Sequence, residues 1–263
     1  MCAVGAASAA ADASPVVVIE RATLADTRQL AAADSAAFRD DALERAIYGL
    51  DDKDFTAQQR EEDLEAREVR YLAPLRDPAD IVLKAIVVDD PRGCCEGGSD
   101  ATRGVIVGSA AWEAPESLRD DSAARAREAV QAECYQSDPE WVDAELSERW
   151  AAADKKLGRL LGERGRDMWN LTTFGVLPEY QGRGIGLQLL QAGLGVTDGE
   201  GQDVYLESTP AAKKFYERNG FQVLGEEEVM DGHAITLMVR KAPARPLTRR
   251  LRSSRCVRDM VPL

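Results

Sequence analysis

The stretch Val176-Leu-Pro-Glu-Tyr-Gln-Gly-Arg-Gly-Ile-Gly186 decides how the rest of this chain is read. It follows a β-branched and aromatic run, Met168 to Val176 (MWNLTTFGV), and precedes an apolar-periodic one from Gly184 to Val196. It is therefore a strand-to-helix turn. Gly182, Gly184 and Gly186 let the backbone approach a ligand without a Cβ in the way. The unpaired N–H groups of the helix's first turn, at the positive end of its dipole, form an anion site. Arg183 adds a point charge. A phosphate or pyrophosphate is the ligand that fits. Two rival glycine-rich turns can be distinguished. A P-loop needs G-x-x-x-x-G-K-[ST], a string the sequence does not contain. A dinucleotide turn needs a third glycine where Leu187 stands, although Glu207 ends the next strand at the distance expected of a ribose-binding acid. Little α/β chain follows residue 207 from which to build a doubly wound sheet.

Working outward, Asp203 to Glu207 (DVYLE) reads as a short strand. Pro210 to Asn219 reads as a helix closed by Gly220, and Phe221 to Leu224 and Ala234 to Arg240 as strands. At the other end, VVVIER from Val16 is a strand. Thr23-Leu-Ala-Asp26 has capping-box character and opens a helix towards Phe38. A second helix covers Asp40 to Tyr48. Thr56-Ala-Gln-Gln59 opens a third, to about Arg70, whose dense charge reads as a solvated face with few core contacts. Ile81 to Val88 and Gly104 to Trp112 form a β-hairpin across a Gly/Asp-rich loop. Residues 113–166 read as helical, their second half opening at Asp138-Pro139. There Val142, Leu146, Trp150, Ala153, Leu157 and Leu160 make one apolar stripe, ended by Gly162 and Gly165.

The chain's 263 residues, 44% hydrophobic and 30% charged, have the composition of a globular protein with a sizeable core. Lys and Arg number 33 against 46 Asp and Glu, a net charge of −13. So acidic a chain suits cationic small molecules and argues against nucleic acid, which needs clustered Lys and Arg. No apolar run approaches the ~18 residues of a membrane span. The five cysteines are scattered without a C-x-x-C, and His233 is the lone histidine. That argues against a Cys/His zinc site and for a reducing compartment. Residues 1–14 are Ala/Ser-rich, read as unstructured, and lack the basic and apolar regions of a secretory signal. Residues 241–263 carry seven Lys/Arg against one Asp and read as an unstructured basic tail. The cytoplasm is the expected setting, with the tail leaving the nucleus open.

Val176-x-Pro178-x-x-Gln181-x-x-Gly184-x-Gly186 resembles the acyl-CoA-binding motif of the GNAT superfamily, the CoA-dependent N-acetyltransferases. Downstream, Ala212-x-x-x-Tyr216-x-x-x-Gly220-Phe221 resembles the second signature of that family. The resemblance covers residues 168–224, and the strand-helix-helix-strand-strand order of residues 16–112 suits it. It implies an α/β fold with a mixed, mostly antiparallel sheet flanked by helices. The helical stretch 113–166 would be an insertion between the third and fourth strands, with no counterpart in the minimal fold. Residues 15–240 would form a single N-acetyltransferase domain.

The resemblance also assigns roles. The backbone of Gly182, Arg183, Gly184, Ile185 and Gly186 would hold the pyrophosphate, with Gln181 at the start of the turn. The strand through Phe174 and Val176 would pair with the pantetheine arm. Thr209 stands where many members carry an Asn that contacts CoA. Tyr216 would donate a proton to the departing thiolate. An acceptor amine, with a pKa near ~10, must first lose a proton. The histone-acetylating branch uses a Glu at the position of Asn170, which cannot serve. Glu207 and, after the third strand, Glu113 are the carboxylate candidates, and Glu207 is preferred. His233, in the turn MDGHA, is expected to be solvent-exposed. The expected reaction is acetyl transfer from acetyl-CoA to a primary amine by direct attack, with no metal, membrane or nucleic acid involved. A non-catalytic CoA-binding regulatory module and a nicotinamide-dependent oxidoreductase are the alternatives.

Overall fold

Local signals in the sequence set most element boundaries. The computed structural model describes residues 16–49, 55–88, 104–119 and 141–244. Strand β1 (Val16–Arg21) leads into the Thr23/Asp26 capping box, where the Thr23 N–H donates to Asp26 at 2.8 Å. The box opens a single 3-10 turn, Leu24–Asp26, and helix α1 (Thr27–Phe38) continues from it. Asp41 caps α2 (Ala42–Ile47) by accepting from the N–H groups of Leu43 and Glu44. Thr56 and Gln59 form a reciprocal box at the start of α3 (Ala57–Arg76). Then follow β2 (Ile81–Val88), β3 (Val105–Glu113), α4 (Ala144–Leu161) and β4 (Trp169–Val176). The C-terminal part comprises α5 (Ile185–Glu200), β5 (Val204–Ser208), α6 (Lys213–Arg218), β6 (Gln222–Met230) and β7 (His233–Arg240).

The strands form one seven-stranded sheet in the order β1-β2-β3-β4-β5-β7-β6. Every neighbouring pair is antiparallel except β4 with β5. This is the mixed, mostly antiparallel sheet expected, and one parallel pair is too few for the doubly wound sheet of a dinucleotide-binding fold. Side-chain alternation divides the core between the two faces. Leu83, Ala85, Ala110, Trp112, Leu171 and Leu206 pack with Leu189, Leu190 and Leu194 of α5 and Tyr216 of α6. On the opposite face, Val82, Ile86, Ile106 and Ala111 meet Leu30 of α1 and Tyr71 of α3, while Ile235 and Leu237 meet Leu146 and Leu157 of α4.

The structure corrects three expectations on that second face. Helix α3 runs to Arg76 and is no solvated helix: Asp63, Arg67, Tyr71, Ala73 and Pro74 are buried. Its charges pair across the α1–α3 interface, and the Tyr71 hydroxyl meets Ser109 Oγ of β3 at 2.8 Å. In α4 the buried stripe is Leu146, Ala153, Leu157 and Leu161, whereas Trp150 and Leu160 are 41% and 49% exposed. Leu160 lies against Gly225 of β6, the edge strand, which leaves its outer side open, and Trp150 faces the cavity described below. His233 is not in a solvent-facing turn but opens β7 and is 6% exposed. The hairpin turns two residues earlier and α4 covers its flank. The expectations for residues 1–14, for the Asp138-Pro139 helix start and for most of the basic tail lie outside the described residues.

Candidate active site

The sheet opens in its middle. Strands β4 and β5 pair only from Trp169–Val204 to Leu171–Leu206. Beyond that point β4 stays with β3 as far as Val176–Gly108, while β5 follows β7 to Ser208–Thr236. A bulge in β4 opposite Ala111/Trp112 marks the start of the wedge and leaves Thr172 as the extra residue, its hydroxyl donating to the Ala111 carbonyl at 3.2 Å. On the α5 side the wedge is walled by Phe174, whose ring stacks on Phe215 at 5.7 Å.

At the mouth of the wedge lies the glycine turn. A 3-10 turn, Pro178–Tyr180, follows β4, and the exposed Gln181 folds back to donate from Nε2 to the Val176 carbonyl at 3.0 Å. Gly182 and Gly184 have φ of +73° and +81°, values that β-carbons disfavour, and Gly184 caps α5. A Cβ at either would meet no atom within 4 Å, so the space beside this backbone is open. The Ile185 side chain is buried in the core, which leaves only its backbone N–H for a ligand. Gly186 lies beside the Phe174 ring, and the Arg183 guanidinium sits 5.3 Å from the Tyr180 ring centre. With no acid in the first turn of α5, the charge pattern suits an anion. Gly175 has a different use: a Cβ there would fall 2.9 Å from Ala37 Cβ, so it admits α1 rather than a ligand.

On the opposite face, a cavity of about 800 Å³ opens beside the wedge. Its sheet end is formed by Thr172 and Thr173 of β4, by Glu207, Ser208 and the following Thr209, and by His233 and Ile235 of β7. Its helical end is formed by Asp34 and Phe38 of α1, Leu43, Glu44 and Ile47 of α2, and Arg67 and Arg70 of α3. Ser147 and Trp150 of α4 complete the wall, which accounts for the exposed tryptophan. Five of the lining residues are acids (Asp34, Asp41, Glu44, Glu113 and Glu207) and two are arginines. Arg67, 2% exposed, spends its three donor positions on Asp63 at 2.8 Å and on Asp34 and Glu44 at 2.7 Å each. Burial nevertheless pushes the Glu44 carboxyl above its ordinary value, with Arg67 opposing.

Glu207 and Tyr216 stand on the two sides of the wedge. Glu207 faces the cavity and α4. Burial, and behind it the nearby Asp154 carboxyl of α4, push its pKa from 4.5 up to about 8. A carboxyl so placed takes up and gives up a proton near neutrality. Tyr216 is on the α5 side, 4% exposed, in a ring cluster with Phe174, Phe215 and Phe221 at 5.3–5.9 Å. Burial alone raises its phenol, which therefore stays protonated. Of the candidates quoted from the sequence, Glu207, Thr209, Glu113 and His233 share the cavity, whereas Phe174, Val176 and residues 181–186 line the wedge and its mouth. Asn170 lies deeper in β4, opposite Glu113 and Tyr205. Sequence reasoning missed Asp34, Glu44, Arg67 and Trp150. The one available signal was a lone acid, Asp34, inside the Ala-rich run of α1.

This combination of sheet, wedge and glycine turn defines an acyltransferase fold. Residues 120–242 match the Acetyltransferase (GNAT) domain family, a span that takes in the wedge, the turn and Tyr216. A histone acetyltransferase HPA2 and related acetyltransferase from Corynebacterium glutamicum aligns at 21% identity over 88% of this chain and 99% of its own, with a TM-score of 0.51. A mosquito arylalkylamine N-acetyltransferase like 5b aligns at 16% identity over 86% of this chain and 100% of its own, with a TM-score of 0.50. At these identities the likeness is one of fold. The fold is that of the GNAT acetyltransferases, and residues 120–242 match their domain family.

Proposed function

We propose that the protein transfers the acetyl group of acetyl-CoA to a primary amine by direct attack, acting through residues 15–240 as a single domain in the cytoplasm. The observation that carries this reading is the β4–β5 wedge, with an anion-binding turn at its mouth and Glu207 and Tyr216 on its two sides. The backbone of residues 182–186 binds the pyrophosphate, with Gln181 holding the turn in place. Phe174 and Val176 line the path of the pantetheine arm, and Thr209 takes the place of the amide found in other members.

Glu207, ionised, accepts a proton from the ammonium that enters the cavity, directly or through water. The free amine attacks the thioester carbonyl, and β4 N–H groups beyond Leu171 stabilise the oxyanion. As the tetrahedral intermediate collapses, the C–S bond breaks, Tyr216 donates its proton to the thiolate, and the extra proton on the new amide nitrogen leaves through water to restore the phenol. Holding both reactants at the wedge supplies much of the acceleration. Among the described residues, no helix is long and apolar enough to cross a membrane, and no group of three or more His, Cys, Asp or Glu side chains is arranged to hold a metal ion.

The test is thermal unfolding with acetyl-CoA, CoA, NAD and ATP in turn, followed by thiol release with an amine panel. A ligand at ~100 times its Kd stabilises by about 2.7 kcal/mol, a shift of roughly 2–4 °C for a chain of this size. Shifts with acetyl-CoA and CoA, and thiol release that depends on an amine, are expected. A shift with NAD alone, or acetyl-CoA binding without turnover of any amine, refutes the reading.

A further inference from the structure

We propose that the acceptor is a dication, a diamine or polyamine whose second, non-reacting ammonium is held at the α1–α3 end of the cavity by Asp34. The inference rests on the acetyl-transfer reading and narrows its substrate class. Two separate polar ends face the cavity. Glu207 marks the sheet end, beside the wedge, where an amine has to arrive to react. Asp34 marks the helical end, on α1, where it pairs with Arg67 of α3. Asp34 is 4% exposed; its Oδ2 accepts from Arg67 Nη1 at 2.7 Å, while Oδ1 has no partner. A buried carboxylate oxygen without a donor is rare in folded proteins and points to a donor supplied from outside the chain.

The local charge agrees. Asp34, Glu44 and Asp63 all bind one guanidinium, three carboxylates to a single positive charge. The nearby Arg70 hydrogen-bonds the Tyr48 hydroxyl at 3.5 Å and acts on Asp34 and Glu44 through its charge, so three acids face two guanidinium groups. A monoamine does not complete this arrangement, because its single nitrogen is neutral when it attacks and sits at the other end. A second ammonium stays charged throughout and gives Asp34 Oδ1 its missing donor. The cavity wall also carries Phe38, Leu43 and Ile47, apolar side chains that suit a methylene chain. An acceptor bearing a carboxylate would meet like charge instead.

The experiment compares 1,4-diaminobutane with butylamine as acceptors for the full chain, read as CoA release and product mass. A kcat/KM at least about tenfold higher for the diamine is expected, the worth of one charge-assisted hydrogen bond. Asp34→Asn brings the ratio towards one, mainly through the KM of the diamine. If that variant fails to fold, Glu44→Gln serves instead, with calorimetric titration of 1,4-diaminobutane into the protein–CoA complex as the readout. Equal rates for the two amines, or a preference for amino acids, overturn the dication inference and leave acetyl transfer standing. Should no amine be acetylated, acetyl transfer fails, and the same calorimetry decides the cation site: saturable binding weakened by Asp34→Asn supports it, and no binding overturns it.

Discussion

Replacing Glu207 with Gln tests the site through stability and through rate. In the folded protein the Glu207 carboxyl is raised from 4.5 to about 8, by burial first and by Asp154 second. A raised carboxyl makes the folded chain bind a proton that the unfolded chain has released. Its stabilisation is therefore full below about pH 4.5 and is lost as pH climbs to about 8. At ~1.36 kcal/mol per pH unit, that interval sets a ceiling of about 5 kcal/mol. Glu207 is only partly buried and borders an open cavity, so screening reduces the effect to about 2 kcal/mol. Glutamine does not titrate. Urea unfolding of both proteins at pH 5 and pH 9 is expected to show the variant gaining about 2 kcal/mol relative to the parent between the two. The rate moves with the same group. In the parent, kcat/KM is expected to rise with pH to a plateau near 8, and Asp154→Asn to shift that rise to lower pH. Glu207→Gln is expected to abolish the rise and cost about 10²–10⁴-fold in rate. Parallel unfolding energies at the two pH values, together with an intact pH–rate rise in the variant, would refute the assignment. His233, whose Nε2 is buried in the same cavity wall without a partner, would then be the group to test.

Three further outcomes are expected. Gly184→Val, at φ +81°, costs about 1–2 kcal/mol of stability and places a side chain in the open space of the turn, so calorimetry should show acetyl-CoA binding lost; unchanged affinity would put the pyrophosphate elsewhere. Tyr216→Phe keeps the ring cluster, and it should leave the Kd for CoA within about twofold while lowering kcat at least about tenfold; wild-type turnover would remove Tyr216 as the acid. Lys84→Met strands the buried Asp26, which Lys84 pairs at 2.9 Å, and should cost about 3–5 kcal/mol at neutral pH by urea unfolding. Burial alone would raise the Asp26 carboxyl, but Lys84 and Thr23 hold it below its ordinary value, so the loss should shrink as acid protonates it.

Much of the fold was legible because its signals are local. The Thr56-Ala-Gln-Gln59 box, the β-branched runs 16–21 and 81–88, and the glycine turn 182–186 each act within a few residues of chain. The cavity was legible only at its sheet end. Glu207 and Thr209 could be named because a motif of known spacing places them. Asp34, Glu44 and Arg67 could not, because nothing in an Ala-rich helix or a charged one says that the two will cross and bury their polar groups together. The same gap explains the misread α3: a run of Glu and Arg looks solvated until a partner helix supplies countercharges. It also explains His233, whose burial depends on α4 packing beside the β6–β7 hairpin.

The sequence by itself determined the order of strands and helices, the positive-φ turn and the chemistry it favours, since glycine, capping residues and alternation act through backbone geometry at short range. Tertiary structure alone decided where β4 and β5 part, which carboxyl is raised towards neutrality, and that an acidic pocket with an unpaired Asp34 oxygen lies beside the wedge. Desolvation and ion pairing depend on what surrounds a group in space, and here those neighbours come from helices and strands far apart along the chain.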